Sequence, residues 1–278
     1  MDNRPIGVFD SGLGGLTSVR ELRRLLPGED IVYFGDTGRV PYGSRSREII
    51  LQYARQDIAF LLSQNVKCIV AACGTVSSTY PSEEAAKLPV PYMGVVSSAA
   101  RRAARATRNR RIGVIGTSAT IRSHSYEQIL RRLVPGAEIT ARACPLFVSL
   151  VENGYVDGSA PDCQQVTRLV IAQYLQEVRE AGVDTLILGC THYPLLAGMI
   201  GEYMGPAVTL IDPGRAAADD LDQLLAGKGL RASRERGGTR FYVSDVPDSF
   251  IHTADLFLGE YRGGTAEQIC IDQYIDQY

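Results

Sequence analysis

An α/β fold made of two matching halves with mainly parallel sheets is predicted by three observations. Strand-like apolar runs alternate with helix-like segments along the chain. The opening PIGVFDSGLGG (5–15) is repeated in kind by RIGVIGTSAT (111–120), each a strand, a glycine and a polar loop. IVAACGT (69–75) and ILGCTH (187–192) each close an apolar run on a small residue and a cysteine, followed by Thr or Gly-Thr. Open α/β sheets build their sites at the carboxyl ends of strands, which is where this pattern puts Cys73 and Cys190. Two thiols from two halves suggest two acid/base groups facing one substrate from opposite sides.

Residues 5–9 read as the first strand, and 16–26 follow as a helix with Leu16, Val19, Leu22, Leu25 and Leu26 at helical spacing. Residues 31–35 make a second strand, 47–63 a long helix, 67–73 the third strand and 90–96 a shorter fourth. The pattern restarts at 111, with a helix near 121–134, a strand near 137–143, a helix over 163–181 and the strand 184–190 carrying the second thiol. After AVTLIDP (207–213) come a helix, an Arg- and Gly-rich stretch (228–239), a strand over 241–246 and a last helix. The final third is expected to pack back on the first half. The domains would then be 1–97 plus 208–278, and 98–207. The tail CIDQYIDQY either continues a helix through Ile271 and Ile275 or frays.

The chain has 278 residues, 45% hydrophobic and 22% charged, enough to bury a proper core. A net charge of -2 gives no reason to expect nucleic acid or an acidic membrane surface as partner. The basic run 101–111 has no interleaved aromatic residues and reads as a solvated helix face. No apolar run reaches the roughly 20 residues of a membrane span. The opening MDNRPIGVFD runs straight into a strand, so no secretory leader is expected. Cysteines 68, 73, 144, 163, 190 and 270 form no Cys-x-x-Cys pair, which points to free thiols in a reducing cytoplasm. Cys68, Cys144 and Cys163 read as packing residues. His124, His192 and His252 are far apart and no cluster has zinc spacing, so no metal is expected. Of the three lysines, Lys67, Lys87 and Lys228, none has the setting of a pyridoxal Schiff base.

Several residues carry possible chemistry. The glycines of DSGLGG (10–15) let backbone N–H groups approach a ligand. Asp10 reads either as a helix N-cap or as a carboxylate that handles a proton. The loop 35–46, with Pro41, Tyr42 and Gly43, reads as a pocket cover or as a surface connection. Cys73 and Cys190 differ from the other cysteines: each is read as the last strand residue before a polar loop, with threonine close behind. A thiol near a helix start is a usable base at neutral pH. His192, two residues after Cys190, suits proton transfer to sulfur or a loop hydrogen bond. Glu152, from spacing alone, reads as a solvated helix-end carboxylate.

In order along the chain, FDSGLGGLTS (9–18), YFGDTGRVPYG (33–43), CPLFVSLVENG (144–154) and LGCTHYPLL (189–196) resemble glutamate racemase over roughly residues 5–260. The resemblance implies a cofactor-independent conversion of L- to D-glutamate for bacterial peptidoglycan. It further implies two α/β domains with the site in the cleft between them, and a homodimer. Carried over, Cys73 and Cys190 are the two acid/base thiols, acting on the D- and L-enantiomer respectively. Asp10 and His192 assist them, and Glu152 matches a further acidic residue. Asp10, Ser11, Pro41, Tyr42, Gly43, Gly74, Thr75, Thr117, Thr120, Thr191 and His192 match substrate-binding positions. One residue departs from the pattern: Gly74 stands where the family usually has Asn in Cys-Asn-Thr. Restoring that amide would be expected to lower the Michaelis constant. A racemase of another amino acid, such as aspartate, and a catalytically silent amino-acid-binding protein are the alternatives.

Overall fold

The computed structural model describes residues 1–259 and 265–274. The side chains of 248–249 and 251–253, His252 among them, lie outside that description, as do residues 260–264 and 275–278. The first half runs β1 (Ile6–Asp10), α1 (Leu16–Leu25), β2 (Ile31–Gly35), α2 (Arg47–Ser63), β3 (Cys68–Ala71), α3 (Gly74–Thr79), α4 (Ser82–Ala85) and β4 (Tyr92–Gly94). Then follow α5 (Val95–Ala106), β5 (Arg111–Gly116), α6 (Ser118–Arg122), α7 (Ser125–Leu133), β6 (Glu138–Ala143), α8 (Leu146–Glu152) and α9 (Pro161–Glu180). The chain closes with β7 (Thr185–Leu188), α10 (Ala197–Met204), β8 (Thr209–Ile211), α11 (Pro213–Gly227), β9 (Thr239–Val243), α12 (Pro247–Leu258) and β10 (Ala266–Gln268).

The strands form a six-stranded sheet, β10-β9-β2-β1-β3-β4, and a four-stranded sheet, β6-β5-β7-β8. Every pairing among the described residues is parallel, with Ile6 opposite both Ile31 and Cys68 in the first sheet and Ile112 opposite Ile139 and Thr185 in the second. Parallel sheets are covered on both faces, which is why β1, β2, β3 and β7 read as continuous apolar runs and are buried throughout. Alternation sorts their side chains. Ile6 and Val8 point to the face covered by α1, whereas Phe9 points to the α2 face with Ile50, Ala54 and Ile58. In the second sheet Ile112 and Val114 pack with α5 and α7, and Ile115 faces the α9 side. One apolar cluster runs from Ile6 and Val8 to Leu186 and Leu188, so the two sheets share buried contacts.

Local signals set several boundaries. Ser46 caps α2, accepting from Ile49 N at 3.4 Å. Asp212 caps α11, accepting from Gly214 N at 2.8 Å, and Pro213 opens that helix. Several expectations need correction. The strand expected over 90–96 is only Tyr92–Gly94, because Val95 and Val96 already belong to α5, and Val96 turns into the second sheet's core. The helix expected near 121–134 is two pieces, α6 and α7, broken at His124, which takes a left-handed φ of 52°. β8 stays paired with β7, so the second sheet extends past residue 207. β10 was not anticipated. In the tail, Ile271–Gln273 form a 3-10 turn, and Ile275 lies outside the described residues.

The Arg- and Gly-rich stretch at 228–239 lies across the amino ends of the first sheet's strands. Lys67, just before β3, is buried against Glu29, and its Nζ donates to Asp2 O at 2.8 Å and Leu230 O at 2.7 Å. Glu29 also accepts from Ala232 N at 2.8 Å, and Asp30 accepts from Gly238 N at 2.7 Å and Arg234 at 2.5 Å. Lys67 therefore sits at the strand end opposite Cys73.

Candidate active site

The strands carrying both thiols end earlier than expected. β3 stops at Ala71 and β7 at Leu188, so Cys73 and Cys190 each lie two residues beyond the strand. Cys73 holds the N-cap position of α3 in an extended conformation. Cys190 opens a turn closed by Tyr193 N donating to Cys190 O at 3.1 Å. Both thiols are buried, Cys73 at 4% exposed and Cys190 at 7%.

The surroundings of the two sulfurs differ. Cys73 Sγ donates to Ser11 Oγ at 3.5 Å. Burial, reinforced by the negative charge of Asp10, pushes its thiol up to about 12. Asp10 ends β1 and is itself buried, and burial raises its carboxyl. One oxygen accepts from Gly12 N at 3.0 Å, and the other has no hydrogen-bond partner. It is not the N-cap of α1, since Gly15 occupies that position. A buried carboxyl with one free oxygen is a natural place for a proton.

Cys190 faces His192. The sulfur lies 3.8 Å from Nδ1, Thr191 Oγ1 lies 3.4 Å from the same nitrogen, and Nε2 meets Glu152 Oε1 at 3.1 Å. Burial opposes a charged ring, but hydrogen bonds to Cys190 and Glu152 outweigh it and raise His192 to about 10. A charged imidazole beside the sulfur is the setting in which a thiolate is used. Glu152, the last residue of α8, is half-exposed as its spacing suggested, yet one oxygen reaches the histidine.

Hydroxyls line the seam between the halves. Thr75 and Thr117 pair at 2.9 Å, and Thr117 pairs with Thr120 at 3.0 Å. Gly43 lies against Thr117, where an added Cβ would come within 2.9 Å of the threonine Cβ. The Tyr42 hydroxyl donates to Asp36 and meets Asp57 at 3.2 Å, so its side chain anchors the loop, and the exposed Pro41 precedes it. A Cβ at Gly14 would overlap Thr191, and one at Gly74 would overlap the Gly189 carbonyl and come within 3.8 Å of Cys190 Cα. Glycines of the first half therefore let the thiol-bearing loop of the second half close down on it.

Two contributors carry no local signal. Thr17 Oγ1 donates to Gly14 O at 2.8 Å and Thr191 O at 3.0 Å, tying α1 to the second thiol's loop. Phe257 of α12 sets its ring edge-on to His192 at 5.3 Å between centroids. All six cysteines are free, with Cys68 and Cys144 buried as packing residues and Cys163 only partly covered. Among the described residues no group of three His, Cys, Asp or Glu has the arrangement of a metal site.

A family model described as Asp/Glu/Hydantoin racemase matches residues 19–221. The chain belongs to that family. A glutamate racemase from Geobacter metallireducens is 46% identical over 261 residues, 94% of each chain. The solved glutamate racemase of Francisella tularensis in complex with D-glutamate is 38% identical, with a TM-score of 0.88 over 99% of this chain and 100% of that one. A solved glutamate racemase isoform from Bacillus anthracis is 35% identical, with a TM-score of 0.90 over the same shares. This member of the racemase family thus shares the two-sheet α/β architecture of those structures along essentially its whole length.

Proposed function

We propose that this racemase interconverts L- and D-glutamate with Cys73 and Cys190 as the two acid/base groups. The observation that carries the reading is the pair of buried thiols at one seam, each with its own proton partner: Asp10 beside Cys73, and the His192–Glu152 pair beside Cys190. Relatives named glutamate racemase over nearly the full chain support the substrate.

The two-base reaction needs the thiols in opposite protonation states. As folded, the Cys73 thiol holds its proton and charged His192 faces Cys190. Cys190 as thiolate would take the α-proton of L-glutamate while Cys73 donates to the opposite face, and the states exchange with turnover. The D-enantiomer needs a Cys73 thiolate, and the substrate's own ammonium brings positive charge that favours it. The α-proton is a very weak acid, so the forming carbanion needs preorganised donors in a dry site. Ser11, Thr75, Thr117, Thr120 and Thr191 are the side chains we assign to holding the substrate, with the backbone of 41–43. Gly74 contributes only backbone.

We further infer two domains, one around each sheet, with the return crossing after β8. A homodimer acting in the cytoplasm, with its product feeding peptidoglycan synthesis, completes the reading. Free cysteines agree with a reducing compartment, and no described helix is long and apolar enough to cross a membrane.

The test is proton exchange. Protein without pyridoxal is incubated in heavy water with L- or D-glutamate, with the α-proton followed by NMR and optical activity by circular dichroism. Deuterium appearing chiefly in the newly formed enantiomer, from both directions, is expected. No exchange in reduced, folded protein would overturn the reading in favour of another amino acid such as aspartate, or of a silent binding role.

A further inference from the structure

A second cleft, of about 440 Å³, opens beside the thiol seam and is lined by Arg45, Arg47, Ser78, Thr79, Ala119 and Arg122 among others. Arg45 and Arg47 come from the start of α2 in the first half, and Arg122 ends α6 in the second. Its walls continue those of the active site: Ser78 and Thr79 lie one turn beyond Thr75 on α3, and Ala119 lies between Thr117 and Thr120.

No acidic residue lines the cleft, and none of the three guanidiniums forms an ion pair among the described residues. Glu48 and Glu84 feel the charge of Arg47 without forming an ion pair with it. Glu84 holds Arg55 at 2.9 Å, and Glu127 meets His124 at 3.0 Å. Three arginines without an ion pair line one cavity in a chain whose net charge is -2. The hydroxyls do not offer protons to a ligand. Ser78 and Thr79 both donate to Thr75 O, Ser123 donates to Thr120 O, and Ser125 donates to Ser78 O. Only the arginines remain as donors. Exposed arginines lining one cleft from both halves suit an anion with several oxygens and more than one charge.

We propose that this cleft binds a small polyanion of the phosphate class, separately from the amino-acid site, with both halves contributing. The ligand would bridge Arg45 and Arg47 to Arg122 across the seam and so join the two halves in the closed form. None of the three arginines belongs to the proton-transfer machinery, so binding can be measured apart from turnover.

Inorganic pyrophosphate is the probe. Calorimetric titration of the full chain, at fixed ionic strength set with chloride, is compared with Arg122→Ala and with Arg45→Ala/Arg47→Ala. Each loss is expected to weaken binding about tenfold or more, since charge-assisted hydrogen bonds are removed. Circular dichroism and unchanged glutamate turnover confirm that the variants are folded. Saturating D-glutamate, which favours the same closed form from a separate site, should tighten pyrophosphate binding or leave it unchanged. No binding to the wild type, equal binding by the variants, or competition by D-glutamate would each overturn the proposal. Loss in the variants of one half alone would overturn the bridge.

Discussion

Cys73 and Cys190 sit in unlike surroundings although their local sequences are alike. On the two-base reading each is a proton carrier, so replacing either with Ala is expected to lower racemisation by about 10²–10⁴-fold or more. Near-normal turnover by Cys73→Ala in a circular dichroism assay would sink the two-base reading. Glu152 helps hold the proton on His192, which is raised to about 10. A raised value means the charged ring persists through neutral pH and is lost only as pH climbs toward that value. Glu152→Gln removes a support of the charged form, so the alkaline limb for L-glutamate should move to lower pH. A pH profile identical to wild type would mean that Cys190 alone holds the charge. Gly74 reverses an expectation drawn from sequence. Adding the family's amide was expected to strengthen binding, but a side chain there overlaps the Gly189 carbonyl. Gly74→Asn should therefore push the thiol-bearing loop away and reduce kcat by roughly tenfold to a hundredfold, the scale set by small misplacements of reacting groups. A lower Michaelis constant with kcat preserved would show that the loop yields freely.

At the scale of elements, the seam depends on segments far apart in sequence. The 36–44 loop is fixed to α2 by Arg39, which meets Asp36 at 2.6 Å and Asp57 at 3.2 Å, and lies 4.0 Å over the ring of Tyr53. Ser244, just after β9, donates to Asp36 at 2.7 Å. Opposite the site, the Lys67–Glu29 pair clamps the 228–239 stretch beneath the first sheet. Both side chains are almost wholly buried. Lys67→Met leaves the Glu29 carboxylate without its cation and should cost about 3–5 kcal/mol in urea unfolding. A loss below about 1 kcal/mol would mean that Glu29 finds water or another partner. Because the pair lies at the far end of β3, folded Lys67→Met protein should retain its kcat.

Across the whole molecule, the machinery is shut away. Asp10 is 1% exposed and His192 7%, so an amino acid reaches them only when the halves part. Thiol reactivity reports this opening. Exposed Cys270 and partly covered Cys163 should react quickly with a thiol reagent, and Cys73 and Cys190 slowly. D-glutamate should slow the second class further by favouring the closed form. Mass spectrometry of the labelled positions separates the classes. Labelling of Cys73 as fast as Cys270 would show that the open form dominates at rest.

Much of this molecule is legible in the linear chain. The parallel α/β class follows from apolar runs alternating with amphipathic ones, and α2 begins and ends where its pattern indicates. Cys73, Cys190, Asp10 and His192 stand out because strand ends, small residues and polar loops are local patterns. Other parts were not legible. The contact of Glu152 with His192, the edge of Phe257, the tie from Thr17 to the second thiol's loop and the overlap awaiting any side chain at Gly74 all join segments remote in sequence. The hydroxyl of Tyr42 likewise turns to two buried carboxylates that no motif connects to it. Local sequence determined most of the elements and marked the candidates for the reacting groups, because backbone preference and side-chain periodicity act over a few residues. The packing of two sheets against each other decided which groups meet, how deeply they are buried and where their protons rest, because desolvation and charge act through space rather than along the chain.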